Sequence, residues 1–172
     1  MSSDALLLQR LRPTTVVLTQ SYTRPADTNT YAAGDVVAES TSAATILTFT
    51  GFAKAAGLGA TIQAVTFVDS AAQTLKPEFE LYLFDTAPTM QNDNVAWAPS
   101  DSEMEKCLGV IALPSQLFKT AGANGVISVD GPGRPIQCAS SVSSIYGILV
   151  TRNAYVPISG EKFVIRLHVS QD

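Results

Sequence analysis

At 172 residues, the chain is long enough to bury roughly 70% of its unfolded surface in one core without metal or disulfide staples. A formal net charge of -4, with its 11 Lys and Arg residues scattered, argues against the basic patch that a nucleic-acid surface needs to displace counterions from phosphates. No apolar run approaches the ~20 residues that cross a bilayer as a helix, so no membrane partner is expected.

The first segment, Met1 to Arg12, lacks the basic start and long apolar stretch of a secretory signal. It reads as an N-terminal arm over residues 1–12, ahead of a β-sandwich domain over residues 13–172, and Arg10, Arg12 and Arg24, the only basic residues near one another in sequence, read as solvated. Short β-rich segments separated by turn residues then follow one another. Strands are expected at Thr14 to Gln20, Asp35 to Glu39, Thr45 to Phe52, Thr61 to Val68 and Glu78 to Phe84. Further strands are expected at Leu108 to Leu113, Gly125 to Val129, Ile145 to Arg152 and Lys162 to Ser170.

In the Glu78 to Phe84 segment, Phe79, Leu81 and Leu83 point inward, while Tyr82 and Phe84 leave an apolar patch on the other side. A loop covers such a patch, or a partner does. The irregular stretch from Thr86 to Cys107 contains Ser100-Asp101-Ser102-Glu103, a capping-box pattern that predicts a short helix from Asp101 to Lys106. A loop this long is a candidate for subunit contact. Asn124-Gly125 reads as a hairpin signal and Gly131-Pro132-Gly133-Arg134-Pro135 as a turn. The last strand alternates most cleanly, with Phe163, Ile165, Leu167 and Val169 on the core face and Lys162, Arg166, His168 and Ser170 with Val164 on the other. Nine short strands without a sustained helical period predict an all-β, single-domain antiparallel sandwich, with jelly-roll topology favoured.

Chemistry is sparse in this pattern. His168 is the only histidine and lies in a regular strand, with no G-x-S-x-G elbow to supply a nucleophile. Cys107 and Cys138 are too far apart in sequence to form a disulfide framework or a C-x-x-C pair. They read as buried free thiols of a protein made in a reducing cytoplasm. Gln91-Asn92-Asp93-Asn94 with Asp101, Glu103 and Glu105 supplies oxygens in a flexible stretch, but not in the order of a calcium loop, so turn formation is the expectation. Glu78 and Glu80 share a strand face at ~7 Å, without the aromatic platforms a sugar enzyme adds. No enzyme, cofactor or metal is expected.

Two blocks carry specific wording. One runs Ser21-Tyr22-Thr23-Arg24-Pro25-Ala26-Asp27-Thr28-Asn29-Thr30-Tyr31-Ala32-Ala33-Gly34-Asp35-Val36-Val37-Ala38; the other is Asn92 to Glu103 with Leu108-Gly109-Val110-Ile111. Together they resemble small β-sandwich proteins encoded among the virion genes of tailed bacteriophages, some of which are capsid decoration (cement) proteins. The resemblance spans roughly a fifth of the chain. It implies a structural protein of the virion, made in the host cytoplasm and placed on the capsid surface. Its implied partners are the major capsid protein and further copies of itself, as a homotrimer. Arg24, Asp27, Tyr31, Tyr82 and Phe84 are the candidate contact residues, and Arg24 and Asp27 pair locally or across subunits. The alternative is a carbohydrate- or receptor-binding module of a phage tail, with Tyr82, Trp97, Tyr146 and Tyr155 as stacking groups, or with Trp97 instead anchoring its loop.

Overall fold

The computed structural model describes residues 13–171, so the arm expected over residues 1–12 lies outside the described residues. Among the described residues there are nine strands: β1 (Thr14–Thr23), β2 (Leu47–Phe49), β3 (Gly59–Asp69), β4 (Phe79–Phe84), β5 (Cys107–Leu113), β6 (Lys119–Ala121), β7 (Asn124–Gln137), β8 (Ile145–Thr151) and β9 (Lys162–Gln171). They form two sheets, ordered β1-β9-β3-β7-β6 and β2-β8-β4-β5. Every ladder is antiparallel.

The pairs β1·β9, β2·β8, β3·β7 and β4·β5 are nested. A chain doubled back on itself as one long hairpin and then rolled gives this order, which is the jelly roll. The expectation of an all-β sandwich with that topology is met.

Strict alternation builds the core. Phe163, Ile165, Leu167 and Val169 of β9 are each fully enclosed, as are Phe79, Leu81 and Leu83 of β4. Phe67 stands at the centre of an aromatic cluster, 5.2 Å from Phe79 and 5.4 Å from Phe163 between ring centroids. In β3 the phase changes at Gln63, where the register of both ladders shifts, so Ile62 and Val65 both face the core.

Five expectations need correction. Asp35 to Glu39 is not a regular strand but makes two single bridges, Asp35↔Ala96 and Val36↔Val150, because this segment serves as a bent edge between β8 and the Val95–Trp97 loop. The strand expected over Thr45 to Phe52 shrinks to three residues, ended by Gly51 at φ 70°. Gly131-Pro132-Gly133-Arg134-Pro135 is no chain reversal. It lies within β7, where Gly131 (φ 65°) and Gly133 (φ 52°) make a bulge opposite Gln63, so the strand runs on to Gln137. The hairpin turn before it is Gly122-Ala123, two residues ahead of the Asn124-Gly125 signal, with Gly122 at φ 61° in the position a type II′ turn gives to glycine. The helix α1 covers Asp101–Met104, shorter than expected, and its capping box is formed by Ser100 and Glu103.

Candidate functional site

The two resemblance blocks meet in space. Segment 34–37 and segment 94–97 hydrogen-bond to one another through Val36 N to Val95 O, Asn94 N to Val36 O and Trp97 N to Gly34 O, each at 2.9 Å. Both lie against the four-stranded sheet. There a second apolar cluster of Val36, Ala38, Ile148 and Val150 gathers Tyr82, Met90 and Trp97 around it. By strand alternation, Tyr82, Ile148 and Val150 point away from the main core. The chain's own loops therefore cover the outer apolar side that β4 presents.

Arg24 is the hinge of this arrangement. Its side chain, expected in solvent, is instead wholly enclosed because a buried carboxylate meets it: Asp93 is equally enclosed, and its Oδ2 accepts from Arg24 Nη2 at 3.2 Å. Arg24 Nε donates to the Tyr31 hydroxyl, which in turn donates to Asp93 Oδ1. The backbone N–H of Ala38 donates to the same Oδ1 at 2.8 Å. Asp27, half-buried, accepts from Arg24 Nη2 at 3.3 Å. Proline and the Asx turn at Asp27, whose Oδ1 accepts from Asn29 N at 3.1 Å, bring this local partner round. Burial opposes the Arg24 charge, but the Tyr31 hydroxyl and Asp93 outweigh it, and the guanidinium holds its proton more tightly than free arginine does. Burial pushes Asp93 above the ordinary carboxylate range, while the Ala38 amide, Tyr31 and Arg24 pull it back.

A second buried polar cluster adjoins the first through the Tyr31 and Tyr155 rings, stacked at 5.0 Å. It contains two acids, Asp69 at the end of β3 and Glu161 just before β9, each 1% exposed. The two carboxyls are close enough that each bears on the other's charge. Gln73 Nε2 donates to Glu161 Oε1 at 2.7 Å, and Asp69 Oδ1 accepts from Ala71 N at 2.7 Å. Oε2 of Glu161 meets no protein donor, a shortfall that a proton on the carboxyl resolves. Burial, followed by the Asp69 carboxyl, raises the Glu161 pKa to about 9. Burial also raises Asp69, against the Glu161 carboxyl, the Ala71 amide and Lys76. Burial and the neighbouring carboxyl both favour a proton on Glu161 at neutral pH.

Among the five candidate contact residues, Arg24, Tyr31 and Phe84 are enclosed within the chain's own interior, at 2%, 0% and 0% exposure. Asp27 and Tyr82 are half-buried. Tyr82 donates to Glu80 Oε2 at 2.8 Å, and Arg152 Nε donates to the same oxygen at 2.6 Å. Trp97 sits edge-on to Tyr82 at 4.3 Å and to Phe84 at 6.2 Å, anchoring its loop on the sheet. Of the four proposed stacking groups, Tyr155 is also buried.

The oxygen-rich loop spends its side chains on the protein. Asn92 Oδ1 accepts from Ala44 N at 3.2 Å and Gln91 Oε1 from Ala98 N at 3.0 Å. The amides of Ser100 and Thr89 hold the Glu103 carboxylate down to about 2. Among the described residues no three His, Cys, Asp or Glu side chains gather as a metal site. His168 lies on the outer face of β9, 3.2 Å from Thr66 Oγ1. Cys107 is half-buried and Cys138 buried, both as free thiols.

Asp93 and Glu161 were the residues sequence reasoning did not single out. Asp93 lies inside a recognised block but reads as a turn residue. Glu161 follows Ser159-Gly160 and reads as the exposed start of a strand.

No protein-family model and no curated protein sequence matches the chain. Among solved structures, the capsid of Ralstonia phage GP4 aligns over 94% of this chain and 86% of that one, at 17% identity and a TM-score of 0.39. The infectious bursal disease virus VP2 subviral particle aligns over 92% of this chain but 33% of its own, at 12% identity and a TM-score of 0.31. Triatoma virus aligns over 84% of this chain and 63% of its own, at 9% identity and a TM-score of 0.25. At these scores the fold assignment rests on the strand order itself.

Proposed function

We propose that the protein is a structural component of a tailed-bacteriophage virion that decorates an assembled capsid by binding its major capsid subunits. One observation carries this reading. The residues that give the two resemblance blocks their specific wording converge on a buried lock, Arg24 with Tyr31 and Asp93, that fastens two long loops to a jelly roll. The lock fixes surface loops in place, and among the described residues no three His, Cys, Asp or Glu side chains gather as a metal site. A rigid sandwich that presents fixed loops suits a permanent contact with a shell. Association in threes comes from the sequence resemblance alone.

The test is to mix the purified protein with undecorated capsids and sediment them. The expected result is co-sedimentation at a fixed ratio to the major capsid protein, with a raised temperature of capsid disruption. Protein that remains in the supernatant while binding oligosaccharide or cell-surface glycan, with quenching of Trp97 fluorescence, would overturn the decoration reading in favour of a receptor-binding module.

A further inference from the structure

The two sheets treat their edges differently. Strands β2 and β6 are three residues long, too short to template a partner. Strand β5 is broken by Gly109 at φ 140° and a register shift opposite it, and Arg134 Nη1 reaches across to Leu108 O at 3.4 Å. Strand β1 has no such protection. It runs ten residues in unbroken register with β9, from Thr14↔Gln171 to Thr23↔Lys162, and contains no charge, proline or glycine.

The side that β1 leaves open follows from one hydrogen bond. Arg24 N donates to Glu161 O at 2.8 Å, in continuation of the same register, so even-numbered residues face β9. Thr15, Val17, Thr19, Ser21 and Thr23 therefore turn their N–H and C=O groups to the free edge. Among the described residues, no backbone group bonds to them from that side. Their side chains are all exposed, Val17 by 51%.

We propose that β1 is a docking edge for β1 of a second copy, paired antiparallel about a two-fold axis at Thr19. The strand is complementary to itself. This axis sets Thr19 opposite Thr19, Val17 opposite Ser21 and Thr15 opposite Thr23, pairs of β-branched and hydroxyl side chains with no like charges opposed. On the inner side it brings Val16 to Tyr22, and Val16, Leu18 and Tyr22 are only partly buried in the single chain. Arg24 is enclosed in its own lock, and the exposed Arg166, opposite Thr19 on β9, would stand three strand spacings, ~14 Å, from its copy across the axis, beyond the ~8–10 Å over which salt leaves surface charges coupled. A contact of this kind uses the same patch on both subunits and closes at two copies, not three. It needs nothing from the capsid reading and stands or falls separately.

The test is sedimentation velocity on the full-length chain over a range of concentrations, because a single-strand contact belongs to the small interfaces of under ~1,200 Å². The expected limiting mass is about 36 kDa, twice the 18.2 kDa of one chain. Thr19→Pro removes only an edge-facing donor, which an edge strand tolerates, and is expected to weaken association about tenfold or more while the melting temperature holds. Thr19→Lys and Thr19→Glu should each be monomeric alone, and an equal mixture of the two should recover the dimer. A wild-type chain that stays monomeric or sediments as a trimer would overturn the proposal. So would a Thr19→Pro chain that dimerises like wild type. If Thr19→Pro fails to fold, the Lys and Glu variants decide: a mixture that stays monomeric counts against the two-fold pairing.

Discussion

The Arg24 cluster and the Asp69–Glu161 pair lie on either side of one stacked tyrosine pair, are equally withdrawn from water, and solve the same problem by opposite means. Around Arg24 the charges are matched by an opposite charge and by hydrogen bonds from Tyr31 and Ala38. Around Glu161 there are two acids, and among the described residues no cation is seen bonded to either; Lys76 acts on Asp69, and Arg24 on Glu161, through their fields. One cluster is neutralised by a counter-ion and the other by a proton. Burial alone therefore does not decide whether a polar cluster makes stability depend on pH. The supply of partners does.

Breaking the matched cluster should have the largest effect. Asp93→Ala leaves Arg24 enclosed with the Tyr31 hydroxyl and only the half-buried Asp27 as bonded counter-charge, and is expected to destabilise the protein by about 3–5 kcal/mol in denaturant titration. A loss of under ~1 kcal/mol, the value for an exposed pair, would mean that the lock is open in solution.

The proton-held pair sharpens the contrast through pH. An ordinary glutamate releases its proton near 4.5, whereas folded Glu161 keeps it to about 9. The folded state thus binds the extra proton across that window. Its contribution is fully present below about 4.5 and is lost as pH rises towards 9. The slope is at most about 1.4 kcal/mol per pH unit. Glu161→Gln, which keeps the shape without the titration, should flatten that slope and melt higher than wild type at pH 8 to 9. Identical pH profiles for the two proteins would count against a proton held on Glu161. The smallest effect belongs to Asp27→Ala at the rim of the matched cluster, about 0 to 1 kcal/mol in the same titration, since water competes for that partner.

Strand alternation exposed most of the fold in advance. Phe163, Ile165, Leu167 and Val169 declare their face by period two, and the Ser100 to Glu103 capping box marks its short helix, because both signals are local. The bulge at Gly131 to Gly133 was hidden. Glycine and proline mark a departure from regular backbone equally well in a turn and inside a strand, and only the partner strand distinguishes them. The contact residues were harder still. Arg24 and Asp27 were legible as a local pair, but Asp93, 69 residues away, takes the inner face of the guanidinium and decides that it is buried. Composition and periodicity determined that this chain is an antiparallel β-sandwich with little catalytic equipment. Only the tertiary structure decided which polar side chains left water, because burial depends on what packs above a residue, and here that cover comes from loops whose sequence carries no period.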